Sequence, residues 1–257
     1  MLNSKKFHQI TLLVWSFILL LTLIVMFFLY KLDSKIEQER SDERNASALL
    51  ELAYKINYYD DYLTSEARNF TVTTNLKNLQ NYWEEASIKK NRDIAIENLK
   101  KNKLSAEHSQ LLVEAKQNSD ILIQTEARAM KLVMLANQMP EQSFPQYIVD
   151  LQLSANDQAL PPIEKVKTAQ NILFDNNYTK AKLEVTEPIN KFKQLLKQKS
   201  EAEILSYQQK TYSIIITLYG LLSVLVLLLI LMVWMKFLIL KSFTNEKTAT
   251  KKKTKKK

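Results

Sequence analysis

The chain has 257 residues, a net charge of +9, no cysteine and a single glycine, Gly220, where average usage gives roughly eighteen. Glycine-rich phosphate loops, nucleophile elbows and dinucleotide fingerprints need glycine where the backbone turns tightly or approaches a ligand, so none of them is present. The lack of cysteine excludes disulfide frameworks, thiolate metal sites and cysteine nucleophiles.

Residues 1–8 form a leader carrying Lys5 and Lys6. Residues 9–30 follow without a charge, and about 20 apolar residues suffice to cross a bilayer core as a helix. The run is longer than a secretory apolar region of about 7–15 residues and no small-x-small cleavage site follows, so it reads as a retained anchor. A second charge-free run, Thr211 to Met235, predicts a second span over 212–240. Trp15, Tyr30, Tyr212 and Trp234 lie near the ends of these runs, where interfacial aromatics gather.

Residues 31–211 contain no glycine and five prolines. Without glycine, tight hairpins are disfavoured, and stretches rich in Ala, Leu, Lys, Glu and Gln favour helix. The first helix continues from the membrane to about Phe70, with the apolar seam Leu49, Leu52, Ile56, Tyr59, Leu63, Ala67 and Phe70. The polar, β-branched patch TVTTN (71–75) interrupts it, and a second helix covers 76–100. Ser105 is the expected N-cap of a third helix running to about Gln138. Its seam is Leu112, Ala115, Ser119, Leu122, Glu126, Ala129, Val133 and Ala136. Prolines punctuate 139–162, a short helix occupies 162–173, and Asp175 caps a last long helix that passes Pro188, where a kink is expected, into the second span. The expected fold is all-α, with two transmembrane helices flanking an extracytoplasmic antiparallel four-helix bundle over 31–211.

Of the net +9, residues 1–8 carry +2 and residues 236–257 carry +8, leaving −1 for the region between. Positive flanks stay in the cytoplasm and a long loop is translocated largely regardless of its charge, which places both termini inside and 31–211 outside. Because the excess lies in the tail (241–257), no nucleic-acid footprint is expected. Lys251, Lys252, Lys253, Lys255, Lys256 and Lys257 form either a solvated tail or a patch drawn to anionic lipid.

Catalytic chemistry finds no foothold. His8 and His108 are too few and too far apart for a metal site. The adjacent pairs Asp60-Asp61 and Glu84-Glu85 diverge around a helix and read as solvated face. No enzyme, cofactor or metal is expected. Tyr58, Tyr59, Tyr62, Tyr82 and Trp83 are either core packing or, with Arg68, Thr71, Thr73 and Asn118, the lining of a small-ligand pocket. Glu126 is either a partly exposed edge residue or a buried carboxylate, with Arg68 as the candidate partner.

Three stretches carry a resemblance: DDYLTSEARNFTVTTNLKNLQNYWEEA (60–86), LLVEAKQNSDILIQTEARAM (111–130) and ILFDNNYTKAKLEVTEPINKF (172–192). In order and spacing they resemble the periplasmic sensor domain of bacterial methyl-accepting chemotaxis receptors and some transmembrane diguanylate cyclases. With both spans the resemblance covers about residues 1–240. The family's Val-Thr-Gly-Asp turn is Val72-Thr73-Thr74-Asn75 here, and Asn75 is expected to take the left-handed conformation that the glycine would supply. The family's insert between the second and third helices is reduced to 100–104. Where a receptor continues with a HAMP linker and a signalling coiled coil, this sequence reads MKFLILKSFTNEKTATKKKTKKK, so the expectation is an input without its own output domain.

The resemblance implies a homodimeric inner-membrane sensor. Its periplasmic domain takes a small ligand or a periplasmic protein and passes a helix displacement to a cytoplasmic or membrane signalling partner. Two alternatives stand beside it: a non-catalytic membrane scaffold with a degenerate sensor domain, and a truncated receptor.

Overall fold

The computed structural model describes residues 4–254, and side-chain environments for 9–238 and 241. It is all-helical, with no strand among the described residues. The helices are α1 (Ser4–Thr73), α2 (Leu76–Trp83), α3 (Asn91–Lys100), α4 (Ala106–Ala136), α5 (Gln146–Asp150), α6 (Ala155–Ala159), α7 (Pro162–Phe174) and α8 (Asn176–Thr254). A π-helical turn, Glu84–Lys89, joins α2 to α3, and a 3₁₀ turn, Glu141–Ser143, precedes α5.

α1 and α8 each contain a stretch long and apolar enough to cross a membrane. Of the most apolar 18 residues, 17% in α1 and 6% in α8 are buried inside the molecule. A core helix of a water-soluble domain would instead bury most of such a stretch. The chain divides into two compact units, residues 1–42 with 202–257, and residues 43–201. Lys255, Lys256 and Lys257 lie outside the described residues, as do the side chains of Lys251, Lys252 and Lys253.

Within 43–201 the ends of the helices follow from local chemistry. Thr74 takes the positive φ, 60°, between α1 and α2. Asn75, at φ −72°, caps α2 by accepting from the Lys77 amide at 3.0 Å. The left-handed residue is therefore the one before Asn75, because Asn75 gives its side chain to the cap. The second helix does not run unbroken from 76 to 100. Lys90 at φ 49° ends the π turn, and the Glu85 carboxylate accepts from the Asn91 amide at 2.9 Å and from Asn91 Nδ2 at 2.8 Å. An acceptor at the first turn of α3 offsets its unsatisfied amides. Ser105 Oγ accepts from the His108 amide at the start of α4, Pro162 opens α7, and Asp175 Oδ1 accepts from the Tyr178 amide at 2.7 Å at the start of α8.

Two buried apolar clusters fill this unit. One combines Leu49, Ala53 and Ile56 of α1 with Ile96 and Leu99 of α3, Leu112 and Ala115 of α4, and Ile189 and Phe192 of α8. The other combines Leu63, Ala67 and Phe70 of α1 with Tyr82 of α2, Leu122 and Met130 of α4, Leu173 of α7, and Tyr178 and Val185 of α8. The α1 seam thus runs through Ala53 and Asp60, with Leu52 and Tyr59 partly buried beside it. Arg128 donates through Nε and Nη2 to Asp157, 2.8 Å each, tying α6 to α4.

Candidate functional site

Glu126 of α4 sits in the second cluster at 1% exposure, with no ion pair to it among the described residues. Three hydroxyls hold its carboxylate instead. Thr64 Oγ1 of α1 donates to Oε1 at 3.0 Å, Tyr82 Oη of α2 donates to Oε2 at 2.8 Å, and Tyr178 Oη of α8 donates to Oε1. Burial raises the carboxyl's pKa, and the three hydroxyls oppose that rise only in part. The same burial, with the facing carboxylate, pushes the Tyr82 and Tyr178 hydroxyls upward, so both remain donors.

One helical turn of α1 earlier lies a second polar group. Asp60, 4% exposed, accepts from Ser119 Oγ at 2.6 Å, and Ser119 in turn accepts from Arg92 Nη1. Arg92, 5% exposed, also donates from Nη2 to Asp93 at 2.7 Å and to Asp120 at 3.1 Å. Its separation from Asp60 is 3.7 Å, so the serine hydroxyl intervenes. Asp60 Oδ2 is buried without a hydrogen-bond partner. Burial pushes the Asp60 carboxyl up to about 6, against the pull of Arg92 and Ser119.

Outside these groups is a surface cleft of about 340 Å³, lined by Asp61, Thr64, Arg68, Asn69, Phe174 and Lys182 among others. Arg68 is fixed on three sides. Its Nε donates to the Leu173 carbonyl at 2.9 Å, and its guanidinium lies 4.9 Å from the Phe174 ring centre and 5.0 Å from that of Tyr178. The Leu173 carbonyl belongs to the last turn of α7, where a cation is favoured. Stacking on two rings holds the guanidinium plane still. Lys182 pairs with Asp61 at 2.7 Å.

The expected site residues fall into separate places. Arg68 and Thr73 share the cleft. Glu126 and Tyr82 share the buried group, and Arg68 is not the partner of Glu126, because hydroxyls occupy its carboxylate and the guanidinium is spent on Leu173, Phe174 and Tyr178. Thr71 is buried and donates to the Arg68 carbonyl at 2.9 Å. The Trp83 ring lies 5.6 Å from that of Tyr147.

Asn118 has a structural role. Its Nδ2 donates at 2.8 Å to the Glu184 carbonyl, which is the helical acceptor that Pro188, lacking an N–H, leaves without a donor. Asp60 and Glu85 are buried, not solvated face, while their neighbours Asp61 and Glu84 point outward into ion pairs with Lys182 and Lys89. Sequence reasoning missed Thr64, Arg92 and Tyr178. The only signal for them was that polar positions in the seam require donors from neighbouring helices.

Comparison of the chain with protein-family models, with curated proteins and with solved structures returns no match.

Proposed function

We propose that the chain is a bacterial inner-membrane sensor-like protein whose helical domain outside the cytoplasm takes up a small ligand and passes a helix displacement to a signalling partner. The domain is an antiparallel bundle of four helices: α1, the α2–α3 segment, α4 and α8. Both termini face the cytoplasm, the protein works as a homodimer, and it is not itself an enzyme. The likeness of 60–86, 111–130 and 172–192 to chemotaxis-receptor sensor domains supports this reading.

The observation that carries it is the double role of Thr64 and Tyr178. Thr64 lines the cleft and donates to Glu126; Tyr178 stacks on the Arg68 guanidinium and donates to the same carboxylate. A ligand that moves Arg68 therefore disturbs a buried carboxylate bonded by three helices. A buried hydrogen-bond network has few alternative arrangements, so a small shift at the cleft selects between them. α1 and α8 both contribute to this network and both contain an apolar stretch.

Thermal-shift screening of the full chain in detergent with small organic anions and amino acids tests the ligand claim. The expected result is a stabilising compound whose effect disappears in Arg68→Ala; stabilisation unchanged in that variant removes the cleft from the reading. A reporter active only outside the cytoplasm, fused after Lys257, is expected to be silent, and activity there overturns the orientation.

A further inference from the structure

We propose that a cleft between α1 and α8, at residues 28–35 and 210–214, binds the phosphate headgroup of an anionic phospholipid. The inference rests on the reading that both apolar stretches cross a bilayer. The cleft measures about 560 Å³ and is lined by Lys31, Lys35 and Lys210, by the hydroxyl residues Ser34 and Ser213, and by Phe28 and Ile214.

Its position follows from the sequence. The charge-free run of α1 ends at Tyr30, so Lys31 is the first charge beyond it; that of α8 starts at Thr211, directly after Lys210. When these runs fill the hydrocarbon core, the three lysines stand at the depth of the lipid phosphates. Phe28, Lys31 and Lys35 lie three and four residues apart on one face of α1, and Ile214 lies four residues after Lys210 on α8. Each helix thus sets a cation above an apolar side chain, the order in which a phospholipid sets its phosphate above its chains.

Among the described residues no carboxylate forms an ion pair within 4 Å of Lys31, Lys35 or Lys210. Lys31 Nζ lies 5.1 Å from the centre of the Phe27 ring, and Lys35 Nζ donates to Gln38 Oε1 at 3.0 Å. Neither contact carries negative charge. Asp33 is exposed and does not line the cleft. Three ammonium groups attract a phosphodiester, and a zwitterionic headgroup brings an ammonium of its own that they repel, so an anionic lipid is favoured. Phe28 and Ile214 give the acyl chains a contact that free phosphate lacks.

Native mass spectrometry of the full chain released from detergent tests the site, with phosphatidylglycerol and phosphatidylcholine titrated in parallel. Preferential retention of phosphatidylglycerol is expected. Combined Lys31→Gln, Lys35→Gln and Lys210→Gln should weaken it by at least about tenfold, as expected for three cations at a lipid surface. The corresponding Lys→Arg variant should retain it, which separates lost charge from lost folding. Combined Lys100→Gln, Lys101→Gln and Lys103→Gln removes the same charge elsewhere and should leave retention unchanged. Equal retention of the two lipids, equal loss in both glutamine variants, or displacement of the lipid by millimolar inorganic phosphate overturns the proposal. Washing membranes with alkaline carbonate reports the span reading separately. Protein that stays in the membrane but shows no lipid preference sinks only the site; protein that washes off sinks the spans.

Discussion

A carboxylic acid in a protein interior resists losing its proton, because ionisation places a charge where water cannot solvate it. Asp60 shows the consequence most directly, with a carboxyl pushed up to about 6 despite Arg92. A carboxyl whose folded pKa lies above its unfolded value binds its proton more tightly when folded. Its stabilising contribution is therefore complete below about pH 4 and is lost as the pH rises through 6. That rise corresponds to at most about 3 kcal/mol over the window. Unfolding of detergent-solubilised protein between pH 4 and 7 should show the wild type losing stability relative to Asp60→Asn; parallel curves would mean that Asp60 ionises freely. Glu126 makes a different demand. Glu126→Ala strands the hydroxyls of Thr64, Tyr82 and Tyr178 and opens a void, for a loss of about 3 kcal/mol, whereas Glu126→Gln keeps an acceptor and should lie within about 1 kcal/mol of wild type. Chemical denaturation of the two variants checks the contrast.

Helix boundaries follow from chemistry within a few residues of each end, which is why most were readable. Ser105, Pro162 and Asp175 each mark a start in the sequence and do so in the structure. The interruption at 84–90 carried no such mark. EEASIKK contains neither glycine nor proline, and the break depends on buried Glu85 reaching Asn91, a contact invisible to periodicity. That hidden break sets the position of α3, and so Arg92 could not be matched to Asp60 beforehand. On α1, Tyr59 fits an apolar seam better than its acidic neighbour Asp60, which hides the buried acid; Ser119 and Glu126, spaced seven apart, are visible as polar seam positions.

Thr74 illustrates a local conflict. A β-branched residue at φ 60° is strained, because its Cβ crowds the backbone there. Thr74→Gly should raise stability by about 1 kcal/mol and Thr74→Val should lower it, both read from denaturation midpoints. Asn118 offers a sharper test, because its amide serves a carbonyl orphaned by Pro188. Asn118→Ala should lose about 1–2 kcal/mol in the wild type and little in a Pro188→Ala background, where the Glu184 carbonyl regains its helical donor. Equal losses in both backgrounds would detach Asn118 from the proline.

Within residues 43–201 the two apolar clusters meet at a polar layer. Asp60 lies between Ile56 and Leu63 on α1, and Ser119 between Ala115 and Leu122 on α4, so each helix passes from one cluster to the other through a polar residue. Arg92 closes the layer from α3, and on α8 Pro188 falls between Val185 and Ile189 at the same transition. Continuous apolar packing across this layer would be simpler to stabilise, since a buried ion pair often contributes less than well-packed apolar side chains of similar volume. Combined Asp60→Leu, Ser119→Ala and Arg92→Met should accordingly leave stability equal or raise it by about 1–4 kcal/mol. The same change removes the buried ionisable group beside Lys182 and Asp61 of the cleft wall, so the pH dependence attributed to Asp60 should vanish with it. Amide exchange along α4 provides the measurement. Around Ser119 protection should be lower than around Leu112 and Met130 in the wild type and should rise to match them in the apolar variant. A layer that is already as protected as the clusters, or a variant that fails to fold while Asp60→Asn folds, would show that the polar layer is packed as firmly as the apolar clusters on either side.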